Sequence, residues 1–205
     1  MDETAIVHVI DDDESLRGAV NRLLRSVGLE VRTYETVRQF LDARGQDSPG
    51  CIVLDVRLPG ISGLEFQVQL AELGIHLPVV LMTGHADVPM SVRAMKAGAV
   101  DFLPKPFRDQ DMIDAVSRAI ERDGQRRAAD GDIAQTRDHF ATLSSREQQV
   151  MRLVTAGKMN KQVAGDLGLS EITVKIHRGS AMRKMGARTL PDLVRMADAL
   201  KLPEL

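Results

Sequence analysis

Residues 51–60, CIVLDVRLPG, decide the fold of this 205-residue chain. The first four residues are apolar, which predicts a buried strand that is too short to be a helix. The strand ends on the carboxylate of Asp55, and Pro59 and Gly60 then predict a loop. Because open α/β sheets place their ligands at the carboxyl ends of their strands, Asp55 is either a simple turn cap or part of a binding site.

Four further apolar runs predict strands, and helical patterns separate them. These runs lie at residues 5–10, 29–33, 79–82 and 100–103. Ser15 is the expected cap of the first helix. Five strands that alternate with five helices predict a doubly wound α/β fold, with helices on both faces of a parallel, flavodoxin-like sheet of order 2-1-3-4-5.

The charge divides the chain into an acidic front and a basic tail. Residues 1–122 carry 13 Lys/Arg against 19 Asp/Glu, a net charge of −6, whereas residues 141–205 carry 11 against 6, a net charge of +5. The basic tail indicates a polyanionic partner. Cys51 is the only cysteine, which excludes a disulfide framework within the chain and fits a reducing cytoplasm. We expect a cytoplasmic protein without a signal peptide or a membrane partner, because the start is acidic and no apolar run approaches ~18 residues.

Polar side chains follow the predicted strand ends and should meet at one edge of the sheet. They are Asp11, Asp12, Asp55, Thr83 and Lys105. Crowded carboxylates repel one another unless a cation neutralises them, and hard oxygen ligands favour Mg²⁺. An ammonium and a hydroxyl beside them suit phosphate oxygens, so the set indicates phosphoryl transfer to a carboxylate.

In this interpretation Asp55 attacks phosphorus, Asp12 and Asp55 hold Mg²⁺, and Asp11 orients its waters. Each residue alone has an ordinary alternative, such as a solvated helix cap, a surface ion pair or a strand-end hydroxyl. Together these alternatives require five coincidences at the strand ends. The sequence Pro-Lys-Pro also predicts a cis peptide at Lys105–Pro106 that directs the ammonium towards Asp55.

Four motifs resemble the receiver domain of bacterial two-component response regulators, over roughly residues 4–122. They are VIDDD at 9–13, LDVRLPG at 54–60, LMTG at 81–84 and FLPKP at 102–106. GHADVPM at 84–90 is similar to the FixJ branch. The resemblance implies that Asp55 takes phosphate from a sensor histidine kinase. It also implies that Mg²⁺ is bound by Asp12, Asp55 and the Arg57 carbonyl, and that Thr83 and Phe102 rearrange together as a switch.

Two other functions remain open on the residues alone. A metal-dependent phosphatase with an Asp nucleophile usually has a second Asp two residues later. Arg57 occupies that position here, so we expect the chain not to be an enzyme. An atypical receiver that binds partners without phosphorylation is disfavoured by the complete acidic pair, Thr83 and Lys105.

The sequence beyond the receiver motifs predicts a linker and a second domain. Residues 123–140 are polar, and their first part contains two glycines, which predicts a linker between domains at 1–122 and 141–205. Residues 133–140 are also compatible with an extension of a helix, so the stiffness of the linker stays open. The second domain is expected to be smaller and all-α, with the turn of a helix-turn-helix at residues 168–170. Its third helix, residues 171–185, should bury Ile172, Ile176 and Met182.

The other face of this third helix is basic, which fits docking in the DNA major groove. Charge and periodicity alone are equally typical of a basic, solvated helix in a helical bundle that binds other partners. Residues 143–147, 160–164 and 169–178 resemble the LuxR-type helix-turn-helix, and the match extends over 143–200. The resemblance implies that Lys175 reads bases and that four other residues meet phosphates or nearby bases. Those four are Lys161, Thr173, His177 and Arg178.

Gly179 departs from the LuxR-type pattern, because several relatives present a side-chain contact there. The chain as a whole is similar to a transcriptional response regulator of the FixJ type. Its implied partners are the sensor kinase, double-stranded DNA and RNA polymerase.

A homodimer that forms on phosphorylation is the expected output, because dyad operators need two DNA-binding domains at a fixed spacing. Val92 offers an apolar contact, and Arg93 and Lys96 of one copy would meet Asp101 and nearby acidic residues of the other. Surface ion pairs contribute only ~0–1 kcal/mol each, so we expect a weak dimer. The alternative is that these are ordinary solvated charges.

Overall fold

The computed structural model describes residues 4–43, 48–85 and 87–202. They form two compact units, and the division between the units falls between Arg126 and Arg127. Among the described residues, no helix is both long and apolar enough to cross a bilayer.

The first unit alternates strands with helices. Its elements are β1 (Ile6–Ile10), α1 (Glu14–Ser26), β2 (Glu30–Tyr34), α2 (Val37–Ala43), β3 (Gly50–Asp55), α3 (Gly63–Gln69), β4 (Val79–Thr83), α4 (Val88–Lys96), β5 (Asp101–Pro104) and the start of α5 (Asp109–Ala141). All neighbouring strands are parallel, in the order β2-β1-β3-β4-β5, which confirms the predicted fold.

Each face of the sheet has its own apolar core, because successive side chains of a strand point to opposite faces. Val53 of β3 belongs to the core that also contains Val20 of α1 and Val116 of α5. Leu54, the next residue, belongs to the core that contains Phe40 of α2 and Phe66 of α3. Both faces of β3 are therefore buried, as its unbroken apolar sequence predicts.

The first helix is capped by Asp13 and not by Ser15, so that prediction was wrong. The Asp13 carboxylate accepts hydrogen bonds from the backbone N–H groups of Ser15 and Leu16. Asp and Ser are equally good helix caps. Because β1 ends at Ile10 and α1 begins at Glu14, the cap position falls within the acidic run.

The stretch predicted as a linker, residues 123–140, is helical, because α5 continues through it to Ala141. Asp123, at the start of this stretch, is fixed within the first unit: its buried carboxylate accepts a hydrogen bond of 3.0 Å from the Gly50 N–H and pairs with Arg126 at 2.7 Å. The segment contains no proline, and a helix tolerates its glycines at about 1 kcal/mol each. A helix over residues 133–140 was an open alternative, whereas polar composition and the two glycines did not reveal that residues 123–132 are helical too.

The second unit contains the end of α5 and four shorter helices. These are α6 (Ser145–Thr155), α7 (Asn160–Leu167), α8 (Glu171–Met185) and α9 (Leu190–Ala199). They pack around one apolar core that includes Val150, Val163 and Leu193. Glu147 anchors this unit by accepting hydrogen bonds from the Ser144 N–H and from the Lys184 ammonium, both at 2.7 Å.

Candidate functional site

The carboxyl edge of the sheet brings the predicted acidic residues together. Asp11 follows β1 and Asp55 ends β3, and both are buried, whereas Asp12 is exposed. Each of the three offers a carboxylate oxygen, and these oxygens lie within 4.8 Å of one another. Three hard oxygen donors at this spacing, one of them open to solvent, fit a divalent cation such as Mg²⁺.

Lys105 places its ammonium directly between the two buried carboxylates. Its Nζ lies 2.6 Å from Asp11 Oδ2 and 2.8 Å from Asp55 Oδ1. The Lys105–Pro106 peptide is cis, which confirms the prediction made from Pro-Lys-Pro. The loop after β5 is held to β4 by a 2.7 Å hydrogen bond from the Lys105 N–H to the Thr83 carbonyl.

The pKa values of Asp55 and Lys105 are both shifted in this site. Burial raises the pKa of the Asp55 carboxyl above its ordinary value, against the opposing hydrogen bond and positive charge of Lys105. Burial alone would lower the pKa of Lys105, but its hydrogen bonds to Asp11 and Asp55 raise that pKa above its usual value. Lys105 therefore keeps its positive charge beside Asp55, a carboxyl group whose ionisation burial opposes.

The loop after β3 shapes the approach to Asp55. The Arg57 N–H donates to Asp55 Oδ2 at 3.2 Å, and Ser62 and Glu65 cap α3 reciprocally. A Cβ on Gly63 would lie 2.1 Å from the Asp55 carbonyl oxygen, so only glycine fits there. The sequence analysis missed this requirement, although the capping-box spacing of Ser62 and Glu65 locates the helix start beside it. A groove of about 750 Å³ lies along this loop, with Asp12 among its lining residues.

Three further residues bear on the site. Thr83 is buried, and its hydroxyl accepts from the His85 N–H at 3.2 Å. Phe102 is partly buried and packs against the core on the α2–α4 face of the sheet. Arg17, which the sequence analysis did not single out, donates from Nη1 to the Asp11 carbonyl at 2.6 Å.

Helix α8 presents a buried face and an exposed one, and the predicted core residues do not all lie on the buried one. Val174, Ala181 and Met185 are buried. Ile172 and Ile176 are 74% and 64% exposed, so their assignment to the core was wrong. A spacing of four residues fits the helix period on the buried face and on the exposed face alike. The prediction of core positions therefore rested only on the apolar character of the two isoleucines.

The five residues expected to contact DNA differ in their exposure and in their contacts within the chain. Lys161 on α7 and Lys175 on α8 are exposed. Thr173 is engaged with the Ser170 cap, since the two hydroxyls lie 2.8 Å apart. Arg178 donates to Asn160 Oδ1 at 3.4 Å, and His177 is partly buried.

The residues expected at a dimer contact lie on α4 and β5. Val92, Arg93 and Lys96 are exposed on α4. Asp101 is partly buried and forms an ion pair with Arg118 of the same chain. An intermolecular pair through Asp101 would have to compete with that internal one.

Two family models match the chain. The model described as "Response regulator receiver domain" matches residues 7–117. The model described as "Bacterial regulatory proteins, luxR family" matches residues 141–197.

Curated relatives and solved structures match nearly the whole chain. Nodulation protein W of Bradyrhizobium diazoefficiens is 57% identical, over 96% of this chain and 86% of that protein. The transcriptional regulatory protein FixJ of Azorhizobium caulinodans is 46% identical, over 96% of this chain and 93% of that protein. The structure of the response regulator StyR is similar with a TM-score of 0.80 and 46% identity, over 95% of this chain and 98% of that one.

Proposed function

We propose, because this chain belongs to the response regulators that join a receiver domain to a LuxR-type DNA-binding domain, that phosphorylation of Asp55 controls its binding to DNA. The donor would be a sensor histidine kinase, and the chain would act in the cytoplasm, where it reaches both the kinase and promoter DNA. RNA polymerase would be the final partner at the promoter.

Phosphoryl transfer would occur at the carboxyl edge of the sheet. A carboxylate oxygen of Asp55 attacks phosphorus, the bond from phosphorus to the donor nitrogen breaks, and an acyl phosphate forms on Asp55. Mg²⁺ held by Asp12, Asp55 and the Arg57 carbonyl would supply positive charge for the phosphate oxygens, and Asp11 would orient its waters. Lys105 would leave Asp55 and pair with the phosphate, which carries more negative charge than the carboxylate.

The signal would then pass to the surface through Thr83 and Phe102. The Thr83 hydroxyl would exchange its bond with His85 for one with the phosphate, and Phe102 would turn inwards. These movements would reshape the face that carries Val92, Arg93 and Lys96. Two phosphorylated copies would associate through this face and present two copies of α8 to a dyad DNA site.

The observation that carries the proposal is the bridging position of Lys105 between Asp11 and Asp55. An ammonium 2.8 Å from the predicted acceptor supports the proposal, because it would lie within reach of a phosphoryl group on Asp55. At the same time it neutralises the buried carboxylates before any metal arrives.

Mass spectrometry after incubation with acetyl phosphate tests the proposal. The wild-type chain should gain one phosphoryl group in the presence of Mg²⁺ and none when Mg²⁺ is chelated, because the carboxylate cluster repels a phosphate dianion. Asp55→Asn should gain none under either condition, and Asp12→Asn should require a higher Mg²⁺ concentration. A phosphoryl group that persists in Asp55→Asn would show that another residue is the acceptor.

A further inference from the structure

The outward face of α8 carries large apolar side chains as well as basic ones. Ile172 and Ile176 stand one turn apart, 74% and 64% exposed, on the side of the helix opposite Val174 and Ala181. Single exposed apolar residues are ordinary on protein surfaces. These two, however, lie on the first two turns of α8, and the N-terminal part of this helix would enter a DNA groove. In the sequence, Lys175 lies between them.

The packing of the second unit does not use either isoleucine. In the described part of this unit, the apolar core takes Val174, Ala181 and Met185 from α8, with Met182 at its edge, and includes neither Ile172 nor Ile176. Polar side chains at both positions would leave that core intact. The reason for isoleucine here therefore lies outside the fold of the unit.

Gly179 continues the same outward stripe by one more turn. Apart from the adjacent residues and the neighbouring backbone of α8 itself, no atom of the described residues lies within 4 Å of a Cβ added at this position, so internal packing does not require a glycine. Apart from proline, glycine is the least favourable residue in a helix interior. Its missing side chain lets a ligand that lies along this face approach the helix backbone closely.

The charges beside the stripe indicate the class of ligand. Lys175 and Arg183 are exposed on the same side of α8, in a segment, residues 141–205, that carries 11 Lys/Arg against 6 Asp/Glu. This charge suits a polyanion, which the proposed function identifies as DNA. In the major groove, thymine presents an apolar C5-methyl group, which aliphatic side chains contact, while lysine pairs with the acceptors of guanine.

We infer that Ile172 and Ile176 contact thymine methyl groups in the major groove, so that the preferred DNA site carries thymines beside the base pair that Lys175 contacts. This inference rests on the proposed function and adds specificity-determining residues to it. Isoleucine has no hydrogen-bonding group, so this contact distinguishes a base by its methyl group alone.

Uracil replacement tests the contact without altering the protein, because uracil is thymine without the methyl group. The preferred site is first selected from random duplexes with the full-length chain treated with acetyl phosphate and Mg²⁺. Each thymine of that site is then replaced by deoxyuridine, one at a time, and the Kd is measured by fluorescence anisotropy. At one or two positions per half-site the Kd should rise about fourfold, which corresponds to exposing one methyl group.

Alanine variants assign each methyl contact to a side chain. Ile172→Ala should lose the effect of uracil at one position, and Ile176→Ala should lose it at another. Val68→Ala, which removes an equally exposed aliphatic side chain from α3, is the matched control and should keep the full effect at every position. Thermal unfolding of the variants should match wild type, since none of the three side chains is buried.

The outcomes separate this inference from the proposed function. A chain that selects a DNA site but binds every uracil-substituted duplex like the parent would overturn the inference alone. The inference alone would also be overturned if uracil substitution weakened DNA binding by both isoleucine variants as much as it weakens binding by wild type, at every position. A phosphorylated chain that selects no DNA sequence would overturn the proposed function and this inference with it.

Discussion

Replacing Lys105 by Met is the sharpest perturbation of the acidic site, because it removes one charge and keeps most of the side-chain volume. Lys105 neutralises two carboxylates at 2.6 and 2.8 Å, and the side chains of Asp11 and Asp55 are only 1% and 6% exposed. Removing one partner of a buried ion pair costs about 3–5 kcal/mol. The Lys105 side chain is itself 21% exposed, so water screens the pair, and we expect a smaller loss than this, about 2–3 kcal/mol.

Differential scanning calorimetry measures this loss. A loss of 2–3 kcal/mol corresponds to a Tm about 8–12 °C lower for a unit of this size, in buffer without divalent cations. Mg²⁺ should raise the Tm of Lys105→Met more than that of wild type, because the cation replaces the missing charge and meets no competing ammonium. Removing one carboxylate as well, in Lys105→Met/Asp55→Asn, should restore most of the lost stability.

Lys158→Met is the matched control for that experiment. Lys158 pairs with Asp166 at 2.7 Å, but both side chains are more than 40% exposed, so the change should alter stability by about 0–1 kcal/mol. If Lys105→Met unfolds within about 1 °C of wild type without Mg²⁺, the ammonium does not hold the carboxylates together and the reasoning fails.

Three further predictions follow from other contacts. Lys96→Glu should still take phosphate on Asp55 but remain monomeric by analytical ultracentrifugation with acetyl phosphate; a variant that dimerises like wild type would move the interface elsewhere. Gly63→Ala should destabilise the first unit by about 1–3 kcal/mol, because its Cβ would lie 2.1 Å from the Asp55 carbonyl oxygen; urea denaturation measures the loss. The Lys184 hydrogen bond lowers the pKa of Glu147 to about 2, below its ordinary 4.5, so this carboxylate stabilises the second unit above pH 4.5 and the stabilisation is lost as the pH falls through about 2. Glu147→Gln should flatten that pH dependence, as followed by circular dichroism during thermal unfolding.

The strand order and the meeting of the acidic residues could be predicted, because both depend on strong local signals. Leu54 and its neighbours form an unbroken apolar run, and a parallel sheet brings the residues after such runs to one edge. Carboxylates that follow two of those strands then meet whatever the details of packing. The position of Lys105 between Asp11 and Asp55 follows from the same rule, applied to the loop after β5.

Tertiary contacts decided the features that the sequence did not reveal. Asp123, at the start of the stretch predicted as a linker, is fixed by the backbone of Gly50, 73 positions earlier in the chain. The requirement for glycine at position 63 depends on how closely α3 approaches the Asp55 carbonyl. Neither contact has a periodicity or a spacing that a single sequence displays.

The misplaced isoleucines of α8 show why a binding surface of this kind is hard to recognise in a sequence. A cluster of carboxylates is unfavourable without a cation, so the residues of the acidic site already indicate a ligand. An isoleucine that contacts a thymine methyl has the same chemistry as one in a protein core, because both are removed from water by an apolar neighbour. Composition and periodicity cannot distinguish the two, whereas the exposed positions of Ile172 and Ile176 in the structure separate them from the core.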